Sequence, residues 1–230
     1  MSPAAWAQLL LAYLLGALPF AYWAGRLLKG LDLRQHGSGN VGATNAFRVL
    51  GKGPGVAVLL LDMAKGTLAV ALLPRLNSAS NAASFFADDV ISQSWWPCLL
   101  GLAAVLGHSY TCFLRFKGGK GVATSAGVFL GLAPYATLVV FAVFGVVFLF
   151  SRMVSLGSLA GATALPLLVA AFAEWRPAAA KASLHDAFRS GWALSSRPVF
   201  HLALLVTVLV WVKHIPNIRR ILAGTENRFK

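Results

Sequence analysis

Three stretches of this chain gather side chains that handle anions. The first is Gly37-Ser38-Gly39-Asn40-Val41-Gly42-Ala43-Thr44-Asn45-Ala46-Phe47-Arg48, with three glycines, four small polar side chains and an arginine in twelve residues. Glycines let backbone amides approach an anion closely. Ser, Asn and Thr add donors, and arginine grips phosphate oxygens with two parallel hydrogen bonds. The second runs Gly107-His108-Ser109-Tyr110-Thr111-Cys112-Phe113-Leu114-Arg115-Phe116-Lys117-Gly118-Gly119-Lys120-Gly121-Val122-Ala123-Thr124. Its end is a glycine-rich turn with a lysine at the mouth of the next helix, where terminal amides and the helix dipole favour an anion. The third is His214-Ile215-Pro216-Asn217-Ile218-Arg219-Arg220-Ile221-Leu222-Ala223-Gly224-Thr225-Glu226. Alone it is weak, because basic residues after an apolar run commonly anchor topology.

Several familiar chemistries are excluded by spacing. Gly37-x-Gly39-x-x-Gly42, with Asp62 twenty residues on, matches a dinucleotide fingerprint. That motif needs a preceding strand and a βαβ unit, whereas an apolar helix precedes this one. A Walker A loop would need glycine at 114 and Ser or Thr at 121, where the chain has Leu114 and Gly121. None of the five histidines has Asp five residues later, which removes the His-x₄-Asp acyltransferases that use CoA. No metal signature and no cofactor motif appears. Cys98 and Cys112 lie 14 residues apart in one apolar run, about 21 Å in a helix and too far for a bridge.

The elements that must carry these stretches are membrane helices. Of 230 residues, 58% are hydrophobic and 12% charged, and mean hydropathy is +0.71. This excludes an ordinary soluble enzyme, a disordered chain and a disulfide-stapled secreted domain. Twenty Lys and Arg against seven Asp and Glu give +13. The basic residues sit between apolar runs rather than in one tail, so anionic lipid or anionic substrate is favoured over nucleic acid.

Apolar runs predict spans at 4–25, 53–74, 90–114, 134–150, 153–173 and 199–212, with a short element at 121–131 divided from its neighbour by Pro134. No Lys or Arg precedes the first run, so a span is expected there rather than a cleaved signal. The expected fold is all-α, one polytopic membrane domain over 1–230 with about seven transmembrane helices. An odd count puts the termini on opposite sides. Fourteen basic residues then share one face and five the other, with Lys65 inside a span. The positive-inside rule places the N-terminus outside and the C-terminus, with all three polar stretches, in the cytoplasm.

Asp62 and Lys65 are three residues apart, on one helical face. Unpaired, each would cost about 2.5–3.5 kcal/mol near mid-membrane, so an ion pair that braces the site is expected. Ser155 and Ser158 either cap the helix after Arg152 or donate to a ligand. The outer loops, 75–92 and 174–198, carry no recognisable chemistry. Leu184, Phe188 and Trp192 at four-residue spacing suggest an interfacial helix in the second. A phosphate or polyol-phosphate transporter would also want basic pockets, but its polar groups should lie at the midplane rather than at one face.

Taken together, SGNVGATNAFRVLG from Ser38, GHSYTCFLRFKGGKGVAT from Gly107 and HIPNIRRILAGTE from His214 resemble the PlsY family, bacterial membrane glycerol-3-phosphate acyltransferases that use acyl phosphate. The resemblance extends over essentially the whole chain, the outer loops being longer and less typical. It implies an inner-membrane enzyme, active at the cytoplasmic face, that moves a fatty acyl group from acyl phosphate to the 1-hydroxyl of sn-glycerol 3-phosphate. Lysophosphatidic acid and phosphate would be the products. By position it makes Ser38, Arg48, Lys120 and His214 catalytic candidates. Asn40, Thr44, Asn45, Gly118, Gly119, Gly121, Thr124, Ser155 and Asn217 become substrate-binding candidates. Arg48, Lys120, His214 and Asn217 are expected on the phosphate of glycerol 3-phosphate. The donor phosphate is expected among amides and hydroxyls of the Ser38–Thr44 and Gly118–Gly121 loops, with Ser155 nearby. Acyl phosphate is already activated, and a substrate phosphate with a second pKa near ~6 accepts a proton, so attack without a protein base or acyl-enzyme is expected. His108, near the end of an apolar helix, is read as structural.

Overall fold

The computed structural model describes residues 2–77, 95–174 and 198–229. Among these residues all regular structure is helical, with no strand. The α-helices are α1 (Pro3–Ala17), α2 (Phe20–Lys29), α3 (Ala43–Leu50), α4 (Lys52–Ala71), α5 (Trp95–Ser109), α6 (Val122–Leu132), α7 (Pro134–Ser151), α8 (Val154–Glu174), α9 (Pro198–Lys213) and α10 (Ile215–Leu222). Short 3₁₀ turns occur at Leu33–Gln35, Leu73–Asn77 and Cys112–Leu114.

Five helical stretches are long and apolar enough to cross a membrane: Pro3–Lys29, Lys52–Ala71, Trp95–Leu114, Pro134–Ser151 and Val154–Phe172. The pair α9 and α10, bent by 57°, supplies a sixth, and α6 is the short apolar helix foreseen at 121–131. Pro134 opens α7 at its first turn, where a missing N–H costs nothing, so the long uncharged run divides there. The first span departs from the single run expected at 4–25. It breaks at Leu18–Pro19 and resumes as α2, because Pro19 has no N–H to continue the ladder. The proposed interfacial helix around Leu184, Phe188 and Trp192, and nearly all of both outer loops, lie outside the described residues.

The described residues fall into two compact units, 2–77 with 96–132, and 95 with 133–174 and 198–229. The first holds α1 to α6, apart from Trp95. Its axis is α4, which packs along α6 and carries α3. Backbones meet there: a methyl on Gly66 would strike the Thr124 carbonyl, and one on Gly127 the Met63 carbonyl. Thr67 Oγ1 adds a hydrogen bond to Gly127 O at 2.8 Å. A core of Ala21, Leu33, Val41, Ala46, Leu50, Val58 and Leu114 lies beneath the first polar stretch. In the second unit α8 packs on both α7 and α9. Thr207 Oγ1 donates to Ala162 O (2.7 Å) and Trp211 Nε1 to Thr163 Oγ1 (3.1 Å), tying α9 to α8.

Candidate active site

In the first unit the first polar stretch is assembled on two buried side chains. Asp32 Oδ1 accepts from the Arg34 amide (3.0 Å) and so caps the 3₁₀ turn Leu33–Gln35. Arg34 Nη2 (2.6 Å) and Arg26 Nη2 (3.3 Å) close on the same carboxylate, and both guanidiniums stand over the Tyr22 ring. Hydrogen bonds from the Arg34 side chain outweigh burial and hold the Asp32 pKa down to about 2. Asn45 is fully buried. Its Oδ1 accepts from the Ser38 amide (2.9 Å), and its Nδ2 donates to Leu33 O and His36 O, both at 3.0 Å. Asn45, expected on substrate, makes three bonds inside the protein and holds the loop. Gly37 and Gly39 sit at φ +60° and +69°, conformations that favour glycine, and turn the chain towards α3. Ser38 and Arg48 are exposed, and Asn40 and Thr44 half-buried. Thr44 and Arg48 are one turn apart on a single face of α3.

The second stretch folds back on the end of α5. The amide of Gly118 donates to Ser109 O (3.3 Å) and that of Gly119 to His108 O (3.1 Å). These amides, expected beside a donor phosphate, satisfy terminal carbonyls of α5. Arg115 and Phe116, both at positive φ, turn the chain into this loop. Lys120 is half-buried and Gly121, at φ +81°, leads into α6. Thr124 is wholly buried, and its hydroxyl has no hydrogen-bond partner among the described residues. Its backbone carbonyl faces Gly66 where α6 packs on α4. Below the loops, Lys65 Nζ and Asp62 Oδ1 form the expected ion pair at 2.8 Å, both side chains buried. Lys65 also donates to Leu18 O (3.0 Å), the carbonyl at the break before Pro19. His108 Nδ1 faces Asp62 Oδ1 at 3.6 Å.

In the second unit the third polar stretch centres on Glu226. Its Oε1 accepts from Ser155 Oγ (2.8 Å) and Asn217 Nδ2 (2.7 Å), and its Oε2 from Arg220 Nε (2.7 Å). Burial pushes the Glu226 pKa up, but hydrogen bonds from Asn217, Ser155 and Arg220 together hold it below the usual carboxylate value. Three residues on, the Phe229 amide donates to Arg152 O at 2.8 Å. Neither serine caps α8: Ser155 donates to Glu226, Ser158 bonds the Val154 carbonyl of its own helix (2.8 Å), and Ser151 Oγ accepts from the Met153 amide instead. His214, buried, sits at the bend between α9 and α10. Its Nδ1 lies 2.8 Å from Val210 O. A carbonyl only accepts, so Nδ1 carries the proton and any substrate contact of His214 runs through Nε2.

The structure thus gathers Ser38, Asn45, Thr44 and Arg48 on one loop and helix, and Ser155 with Asn217 on one carboxylate. Sequence reasoning had not given a role to Asp32 or Glu226. The one hint for Glu226 was its place just beyond the basic helix. Among the described residues no group of three or more His, Cys, Asp and Glu is placed to hold a metal, and Cys98 and Cys112 are free thiols.

Comparison with known proteins matches residues 6–224 to the family model for glycerol-3-phosphate acyltransferase. The glycerol-3-phosphate acyltransferase of Chlorobaculum tepidum is 40% identical over 225 residues, 96% of this chain and 95% of that protein. That of Geobacter sulfurreducens is 42% identical over 220 residues, covering 95% and 94%. The crystal structure of PlsY (YgiH), an integral membrane glycerol 3-phosphate acyltransferase, in its glycerol 3-phosphate form superposes with a TM-score of 0.78. It is 36% identical, covering 98% of this chain and 96% of that one. The lysophosphatidic acid form gives 0.76 at 35% identity, covering 98% and 95%. On a multi-pass helical fold with this loop arrangement, the agreement leaves one conclusion: the chain belongs to the glycerol-3-phosphate acyltransferase family of integral membrane enzymes.

Proposed function

We propose that this acyltransferase takes its fatty acyl group from acyl phosphate and delivers it to the 1-hydroxyl of sn-glycerol 3-phosphate, at the cytoplasmic face of the bacterial inner membrane. The observation that carries the reading is the meeting of two glycine-rich loops in the first unit, where Gly119 lies against the Val41 carbonyl. Two such loops suit a reaction whose donor and acceptor both carry phosphate, and the apolar helices offer the acyl tail a path in the bilayer.

In this reading Arg48 and Lys120 supply cationic groups to glycerol 3-phosphate, Asn217 supplies a further donor, and His214 donates from Nε2 when both of its ring nitrogens carry a proton. Ser38, Asn40 and Thr44 serve the donor phosphate, and Ser155 joins them by turning its hydroxyl from Glu226 to the phosphate. Asn45, Gly118, Gly119 and Gly121 shape the loops. The 1-hydroxyl oxygen attacks the acyl carbonyl carbon, the carbon–oxygen bond to phosphate breaks, and inorganic phosphate departs. The hydroxyl proton passes to a substrate phosphate oxygen, which needs no protein base. Fourteen of the basic residues would share the cytoplasmic side, with the N-terminus outside.

The test is turnover of purified protein in detergent with palmitoyl phosphate and glycerol 3-phosphate, following phosphate and lysophosphatidic acid. Palmitoyl-CoA runs as a parallel donor and Lys120→Ala as a control. Turnover with palmitoyl phosphate, lost in the variant, is expected. Turnover with palmitoyl-CoA alone overturns the donor assignment. His214→Ala losing about 10⁴-fold in kcat with both KM values unchanged would replace substrate assistance with a protein base.

A further inference from the structure

Asp62, Lys65 and His108 are buried ionisable groups to which the reaction above assigns no step. Their surroundings connect them to it. On one side of the His108 ring, Nδ1 faces Asp62 Oδ1 at 3.6 Å, and Asp62 is itself fixed by Lys65 at 2.8 Å. Lys65 is in turn held by Leu18 O at 3.0 Å and lies 5.5 Å from the centre of the Phe20 ring. On the other side, a methyl on Gly119 would run into His108 Nε2, and it would also meet the Val41 carbonyl. Gly119 is therefore clasped between the imidazole and a backbone atom of the other glycine-rich loop. The amide of Gly119 donates to His108 O at 3.1 Å, so ring and backbone of one residue both define where Gly119 sits. A small cavity lies beside this contact, lined in part by Pro19, Val41, Asp62, His108, Gly118 and Gly119. The loop thus has space on one side and needs a stop on the other.

We propose that His108 is a positioning residue for acyl transfer. The Asp62–Lys65 pair orients its ring from within the membrane helices, and the ring's Nε2 edge sets the spacing between the Gly118–Gly121 loop and the Ser38–Thr44 loop. The inference rests on the reading that both loops serve the reacting phosphates. It assigns His108 no proton transfer and no contact with substrate. A displacement near 1 Å of such a loop lowers turnover about 10²-fold, because the reacting atoms leave their attack geometry.

The two edges of the ring give the test. Gln places an amide where Nε2 stood, whereas Asn reaches only the Nδ1 position on the Asp62 side. His108→Gln is expected to keep kcat/KM within about threefold of the unsubstituted enzyme. His108→Asn is expected to lose about 10²-fold, chiefly in kcat, with thermal unfolding in detergent matched to the Gln variant. Equal activity of the two variants, high or low, overturns the proposal, as does a collapse of KM alone. Gly119→Ala provides a second route should neither His108 variant fold. Alone it is expected to lose about 10²-fold, and His108→Ala added to it is expected to restore at least tenfold by making room for the methyl. A double variant no better than Gly119→Ala overturns the proposal. Activities are ranked with whichever donor the unsubstituted enzyme uses, so failure of palmitoyl phosphate would revise the donor and leave the ranking readable.

Discussion

The Gly118–Gly121 loop of the first unit and the His214–Glu226 segment of the second order their polar groups with different parts. The loop is held by backbone: the amides of Gly118 and Gly119 bond the carbonyls of Ser109 and His108. The neighbouring loop is held by Asn45, which gathers Leu33, His36 and Ser38. In the tail segment one carboxylate collects Ser155, Asn217 and Arg220, the first from 71 residues away. Backbone order of the first kind survives loss of exposed side chains but depends on what lies buried beneath it. Order of the second kind resides in two oxygen atoms, and any change to them releases every partner together.

The largest effect should come from beneath the loops. Lys65→Met leaves Asp62 buried without its cation and is expected to cost about 3–5 kcal/mol in thermal unfolding in detergent. Asp62→Leu added to it should recover most of the loss, since two apolar residues remove the uncompensated charge. A single variant as stable as the unsubstituted protein would break the contrast. Glu226→Ala ranks next. It strands the hydroxyl of Ser155 and the amide of Asn217, at about 1–3 kcal/mol for each buried donor left unsatisfied. Ser155→Ala alone should lose much less, which sharpens the claim that the carboxylate is the hub.

Asn45→Ala should cost about 1–2 kcal/mol, since only Leu33 among its partners is deeply buried, and should lower turnover through disorder of the first loop. Asp32→Asn should show a pH signature. The folded pKa of Asp32, about 2, lies below the unfolded 3.8, so its contribution is fully present above pH 3.8 and is lost as pH falls from there towards 2. The stability gap between Asp32→Asn and the unsubstituted protein should therefore be constant from pH 5 to 8 and close through that acid window. Ser158→Ala, whose hydroxyl only bonds its own helix, should stay within about 0.5 kcal/mol.

Much of this arrangement was legible in the chain itself. Apolar runs and Pro134 marked the helices because burial in lipid demands continuous apolar surface and proline punctuates it. The i, i+3 spacing of Asp62 and Lys65 announced their pair because both groups lie on one helical face. Pro19 carried the signal for the break in the first span, but an uncharged run on both sides concealed it. The internal hydrogen bonds of Gly118, Gly119 and Asn45 did not show, because glycine and asparagine bond a ligand or the protein's own backbone equally well, and the partners depend on neighbours in space. Glu226 was the least visible. Its partner Ser155 stands 71 residues away, a separation no local pattern encodes.

The placement of Asp62 and Lys65 on a single helix also bears on how the chain enters a membrane. Each charge taken alone would oppose insertion by about 2.5–3.5 kcal/mol. Leu18 O, which Lys65 binds, is synthesised before α4, and His108, which faces Asp62, after it. Because the pair lies within one turn, it closes as soon as that turn forms, without waiting for either neighbour. The helix then crosses into lipid as a local dipole instead of two separate ions. The charges that later set the floor of the loops thus arrive already neutralised, whatever the order in which the remaining helices assemble.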